Sequence, residues 1–132
     1  MTYRAGLMAI ATVIVTCSTV GCGWPDQDCE LGAVGQIRKV WALEEEFSDK
    51  FGRFATSKQL ETLDPSISTF SCPGGSEYRF AIALTATGYI ITARPDRFGP
   101  GTRRTFYSDE TKIIHQSWHP SDPASAASPQ LR

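Results

Sequence analysis

The chain has 132 residues and a formal net charge of −1, enough for one small domain, and the near balance of charge argues against a nucleic-acid binder held by phosphate electrostatics. Hydrophobic residues make up 41% and charged residues 20% of it, an ordinary globular composition that excludes wholesale disorder.

The N-terminus departs from that average. Arg4 is its only basic residue, and residues 5–20 then run AGLMAIATVIVTCSTV without a charge before Gly21-Cys22-Gly23 and the polar Pro25-Asp26. This is the order of a signal peptide: basic start, apolar run, cleavage site. The run is shorter than the roughly 18–20 apolar residues of a spanning helix, although an uncleaved anchor remains one reading of it. Thr19-Val20-Gly21-Cys22 resembles the lipobox of bacterial lipoproteins, with Thr19 where Leu is usual. Small residues at 19 and 21 suit the peptidase cleft, and the cysteine supplies the thiol that accepts diacylglycerol. The resemblance implies a signal over residues 1–21, lipidation at Cys22 and a lipidated tether over 22–29. Each buried acyl CH₂ contributes about 0.8 kcal/mol to such an anchor. It places the protein in the bacterial cell envelope, facing the periplasm or the cell surface. Gly23 lacks the acidic character of an inner-membrane retention signal, which favours the outer membrane. A plain secretory signal cleaved near Gly21 or Gly23 is the alternative.

Cysteine use follows from this. Of four cysteines, Cys17 falls in the signal and Cys22 takes the lipid. Cys29 and Cys72 remain, an even pair in an oxidising compartment, where a disulfide is expected. Two free thiols are the other reading. The absence of a Cys-x-x-Cys motif gives redox catalysis or zinc little support.

Along the mature chain, Leu31, Val34, Ile37, Val40, Trp41, Leu43, Phe47 and Phe51 recur at helical spacing, and predict a helix from about 30 to 50 that ends near Gly52. Glu44, Glu45, Asp49 and Lys50 fall mostly on the other side, so the Glu44-Glu45-Glu46 run reads as a hydrated face. Residues 53–76 hold Pro65, Pro73, Gly74 and Gly75 and read as a long loop with a short helical turn over 57–63. Tyr78, Phe80, Ile82 and Leu84 alternate with smaller or polar residues, as a half-buried strand does. Further strands are expected over 89–94, 103–108 and 113–118, separated by turns at 86–88 and 109–112 and by a Gly/Pro loop at 96–102. The Ser-, Ala- and Pro-rich residues 119–132 read as a disordered tail.

The order is α+β: one long N-terminal helix packed on an antiparallel meander of about four strands. Over residues 30–118 it resembles the globular part of type IV pilins and type II secretion pseudopilins. The resemblance is carried by Gly88-Tyr89-Ile90-Ile91-Thr92-Ala93-Arg94-Pro95, by the Gly99-Pro100-Gly101 loop, and by Arg104-Thr105-Phe106-Tyr107-Ser108-Asp109-Glu110-Thr111-Lys112-Ile113-Ile114. Phe51-Gly52-Arg53-Phe54 stands where such proteins have an aromatic-Gly-x-aromatic helix exit. The chain departs from prepilins in having a lipobox-like signal in place of their cleavage motif and Lys112 where the phrase has Gly. The resemblance therefore implies a left-handed backbone at Lys112, with Phe106 and Ile114 on neighbouring strands.

Candidate chemistry is sparse. His115 and His119 are four apart, a metal spacing on a helix but not on a strand, so no metal site is expected. Asp109-Glu110-Thr111 reads as turn chemistry. No Gly-x-Ser-x-Gly elbow or phosphate loop is present, and no nucleophile has an evident base, so neither an enzyme nor a cofactor is expected. Arg94, Arg97, Arg103 and Arg104 concentrate positive charge and are the candidate partner-binding residues, for anionic lipid or an acidic partner; strand-edge protection explains them as well. The expectation is a lipid-anchored envelope protein whose pilin-like domain is a structural or protein-interaction module. The resemblance links it to secretion or pilus components as partners, with no nucleic acid. The alternative is a periplasmic or surface lipoprotein that binds a small ligand or assists another enzyme.

Overall fold

The computed structural model describes residues 25–72 and 75–132, with the backbone alone for 25–28. The lipobox and Cys22 lie outside the described residues. A long helix, α1 (Pro25–Phe51), is followed by α2 (Ser57–Leu63) and five strands: β1 (Thr69–Ser71), β2 (Glu77–Leu84), β3 (Tyr89–Pro95), β4 (Thr105–Asp109) and β5 (His115–Ser117). The strands form one antiparallel sheet in the order β1-β2-β3-β4-β5. The fold is α+β, as expected, with one strand more than the pattern predicts. No helix among the described residues is long and apolar enough to cross a membrane.

Helix α1 begins at Pro25, so it takes in most of the tether expected over 22–29. Proline suits a first helical turn, where its missing N–H has no partner to lose and its φ is already helical. Val34, Ile37, Val40 and Phe47 are buried as predicted, with Trp41 and Leu43 packed beside them. Phe51 leaves the stripe and is 60% exposed. Glu44 joins the stripe and is fully buried, against the expectation of a hydrated acidic face. Its position explains this: it lies four residues after Val40 and three before Phe47, on the line of the core. The helix stops at Gly52, whose φ of +70° favours glycine.

Helix α2 has a full capping box. Thr56 Oγ1 accepts from the Gln59 N–H, and Gln59 Oε1 accepts from the Thr56 N–H, at 3.2 and 3.0 Å. Leu60 enters the core and Lys39 Nζ meets Asp64 Oδ2 at 2.6 Å, tying α2 to α1. Strand β1 was hidden in the predicted loop because three residues carry no periodicity. Its Phe70 ring lies on α1 at Gly32, where any Cβ would overlap it, so glycine here permits the close approach.

Tyr78, Phe80, Ile82, Tyr89, Ile91, Ala93 and Phe106 are the sheet's share of the core. Leu84 runs past it and is 46% exposed. At the β4–β5 turn, Lys112 has φ +60° and donates its N–H to Asp109 O at 3.1 Å. The left-handed backbone implied for this position is present, and Ile114, just before β5, is buried.

The C-terminal segment is not the disordered tail that its composition suggests. Gln116 N–H donates to Pro129 O at 2.9 Å, and Leu131 N–H to Ile114 O at 2.8 Å. Ala124 is buried, and its N–H donates to Thr105 Oγ1 at 2.8 Å. The reason is the open edge of β5. Its unpaired backbone groups accept a further extended segment whatever the side chains, and Leu131 adds an apolar contact with the core.

Candidate interaction site

The first turns of α1 form a junction of three segments. Cys29 and Cys72 are joined in a disulfide across a sequence separation of 43, with Cα atoms 5.1 Å apart. Glu30, the next residue, is also buried, and its carboxylate holds the loop before β4. Glu30 Oε1 accepts from the Arg103 N–H at 3.1 Å, and Oε2 meets Arg104 Nε and Nη2 at 2.7 and 2.6 Å. Arg104 Nη1 donates to Gln116 Oε1 at 2.6 Å. Its guanidinium also lies over the rings of Phe106 and Trp118, 5.3 and 4.8 Å from their centroids. The Tyr78 hydroxyl donates to Arg104 O at 2.7 Å, and burial raises its pKa.

This arrangement separates the four arginines of the sequence pattern. Arg104 is a structural residue, its donors directed into the fold. Arg103 is anchored by its backbone while its side chain is exposed; Arg97 is exposed, and Arg94 lies exposed over the Phe98 ring at 5.8 Å. The exposed arginines of the four are thus Arg94, Arg97 and Arg103. Nothing local in the sequence links Glu30 to residue 104; only tertiary structure makes it the partner.

The histidines have structural surroundings. His115 Nδ1 is 2.6 Å from Ser128 O and its ring is edge-on to Tyr107, whereas His119 is exposed near the C-terminal segment. Among the described residues no group of three or more His, Cys, Asp or Glu side chains could hold a metal ion. Asp109 builds its turn as its sequence context suggests, accepting the Thr111 N–H on Oδ1 at 2.9 Å.

The far end of α1 carries two open features. The first is a groove of about 500 Å³ between α1 and α2, lined by Leu43, Phe47, Phe51 and Leu63 with Glu46 and Lys50 at its edge. Phe51 and Leu63 are 60% and 58% exposed there. The second is a pocket of about 260 Å³ lined by Glu45, Ser48, Asp49, Phe54, Tyr89, Glu110 and Lys112. Phe54 and Tyr89 meet edge to face at 5.0 Å. Lys112 Nζ pairs with Glu45 Oε2 at 2.9 Å. Glu44, one residue before Glu45 on α1, is fully buried and does not line this pocket. Its Oε2 accepts from the Ala55 N–H at 2.7 Å, and its Oε1 is buried without a partner among the described residues. Burial raises the Glu44 carboxyl to about 7, against the lowering effect of the Ala55 N–H. The Tyr89 hydroxyl is raised by burial and then by the charges of Glu44, Glu110, Glu45 and Asp109.

No protein-family model matches the chain, and neither a curated protein nor a solved structure matches it.

Proposed function

We propose that the protein is a lipid-anchored component of the bacterial cell envelope, acylated at Cys22, whose α+β domain is a non-catalytic structural or protein-interaction module. The observation that carries this reading is the Cys29–Cys72 disulfide. The two cysteines left after processing at a lipobox are the two that the fold joins, as suits a domain matured in an oxidising compartment. The long helix on an antiparallel meander supports a pilin-like assignment, and with it partners among envelope proteins of secretion or pilus machinery. The groove flanked by the exposed Phe51 and Leu63 supports an interaction role, since exposed apolar area bordered by charge is typical of contact surfaces.

Intact mass of the protein extracted from membranes tests the anchor. The expected species begins at Cys22, carries the acyl groups and lacks the two hydrogens of the disulfide. Cys22→Ser should remain unprocessed or move to the aqueous phase on detergent partitioning. An unchanged mass and unchanged partitioning in that variant would remove the basis for the anchor.

A further inference from the structure

The start of α1 and one end of the sheet form a single face of the domain. Tyr78 at the start of β2 pairs with Pro95 at the end of β3, and Thr105 at the start of β4 with Ser117 at the end of β5. The loop 96–104 and the segment after Ser117 therefore leave the sheet at the same end. Helix α1 begins at that end too, because the Glu30 carboxylate accepts from the Arg103 N–H at 3.1 Å and Cys29 is bonded to Cys72.

Arg97 and Arg103 are exposed on this loop, and Arg94 is exposed just before it. Apolar side chains lie beside them. Leu31 and Trp118 are 61% and 55% exposed, and the half-buried Phe98 ring lies under the Arg94 guanidinium. The acids of the same face are engaged within the fold. Glu30 is held by Arg104, Glu77 by Arg79, and Asp96 by the Ser76 hydroxyl and the Glu77 N–H. Asp26 and Asp28 fall in the first turn of α1, where the helix dipole offsets negative charge. That leaves Asp122, beside His119 and Trp118, against three exposed arginines.

Position decides what meets this face. Only Gly23 and Trp24 stand between Cys22 and Pro25. The Cα of a lipidated Cys22 therefore lies no more than about 11 Å from that of Pro25, even at full extension. The far end of the 27-residue helix is about 40 Å along the axis, and reaches a bilayer only if the helix lies flat on it.

We infer that this face is a membrane-contact surface. Arg94, Arg97 and Arg103 bind the anionic headgroups of the phospholipid layer that carries the anchor, Trp118, Phe98 and Leu31 enter its interfacial zone, and α1 stands away from the membrane. The inference rests on the lipid-anchor reading and deepens it, by assigning a ligand to arginines that the fold leaves exposed. Guanidinium groups make paired, charge-assisted hydrogen bonds to phosphate, and an indole ring favours the headgroup level. The attraction of a basic residue to an anionic surface fades within a Debye length, so a short tether keeps these arginines in range.

The test reconstitutes the full-length protein, extracted from membranes, into vesicles of phosphatidylcholine alone or of an equal mixture with phosphatidylglycerol. The reactivity of each arginine toward phenylglyoxal is then read by peptide mass spectrometry. In the anionic mixture Arg97 and Arg103 should react about fivefold more slowly than in phosphatidylcholine, as the attraction per basic residue implies. Arg53, exposed beyond the far end of α1, should react equally in both, and high salt should abolish the difference. In the double variant Arg97→Gln with Arg103→Gln, which alters exposed side chains only, Arg94 should lose its protection. Equal reactivity of Arg97 and Arg103 in the two lipids, with acylation confirmed by intact mass, overturns the inference alone and returns the arginines to an acidic protein partner. Protection of Arg53 as strong as that of Arg97 overturns it too, because the helix then lies flat. An intact mass without acyl groups overturns the anchor instead. The same footprint on that protein with vesicles added then decides the surface by itself: protection in the mixture supports it, and none refutes it.

Discussion

The two ends of α1 are built on opposite principles. At its start the buried charges are matched among the described residues: Glu30 accepts from Arg103 and Arg104, Arg104 donates to Gln116 and stacks on two rings, and a disulfide closes the junction. At its finish Glu44 Oε1 has no partner among the described residues, Lys112 holds a left-handed backbone, and Phe51 and Leu63 face solvent. The first end is organised for stability. The second retains unsatisfied groups, which natural folds concentrate where they bind. The comparison makes a sharp forecast: substitutions at the first end should destabilise, and substitutions that simplify the second should be neutral or stabilising.

The largest effect is expected at the disulfide. Replacing Cys29 and Cys72 by Ser releases a loop with a sequence separation of 43, and chain entropy alone predicts a loss of about 4 kcal/mol. Urea unfolding of the variant against the parent measures it. A loss under about 1 kcal/mol would mean that the junction holds without its staple.

Glu30→Ala comes next. It leaves the Arg104 guanidinium largely buried and without its carboxylate, a change that costs about 3 kcal/mol when a buried pair loses one member. The double variant Glu30→Ala with Arg104→Met should recover part of that loss, because the stranded charge is gone. Thermal unfolding of the two variants side by side decides it.

Glu44 should behave in the opposite sense. Its folded pKa is raised from 4.5 to about 7 by burial, so the native state keeps a proton that the unfolded chain releases. The contribution to stability is complete below pH 4.5, declines as pH rises toward about 7, and stays at its lowest above that. Glu44→Gln removes the ionisation, keeps the shape, and should stabilise by about 1–3 kcal/mol at pH 8 while doing little at pH 4. Denaturant midpoints across that pH range give the answer; a variant destabilised at pH 8 would show that the ionised carboxylate is satisfied after all.

The smallest effect is expected at Lys112, whose φ is +60°. Glycine relieves the steric cost of a Cβ in that region, about 1 kcal/mol, but adds freedom to the unfolded chain. Lys112→Gly should therefore lie between neutral and about 1 kcal/mol stabilising. Calorimetry can resolve it, provided that Lys112→Gln is measured alongside to account for the lost pairing with Glu45.

Much of this fold was legible because it depends on local period. The apolar spacing through Val34, Ile37, Val40 and Phe47 and the alternation through Tyr78, Phe80 and Ile82 mark the two faces that bury each other, whatever else the chain does. The disulfide followed from counting cysteines, and the left-handed backbone at Lys112 from a turn phrase that wants glycine. Even the burial of Glu44 was implicit in its spacing from Val40 and Phe47, although its charge argued for solvent. Tertiary structure alone decided what depends on contacts distant in sequence. Strand β1 exists because β2 offers it an edge, and the C-terminal segment is ordered because β5 does the same; neither segment has a pattern of its own. The arginines look alike as letters, yet Arg104 is fixed inside the fold by Glu30, 74 residues away, and Arg97 and Arg103 are left exposed. The acidic pocket likewise draws on α1, the segment after it, β3 and the β4–β5 turn. Local propensity acts over a few residues, whereas electrostatics and packing act on whatever the completed fold brings within a few ångströms.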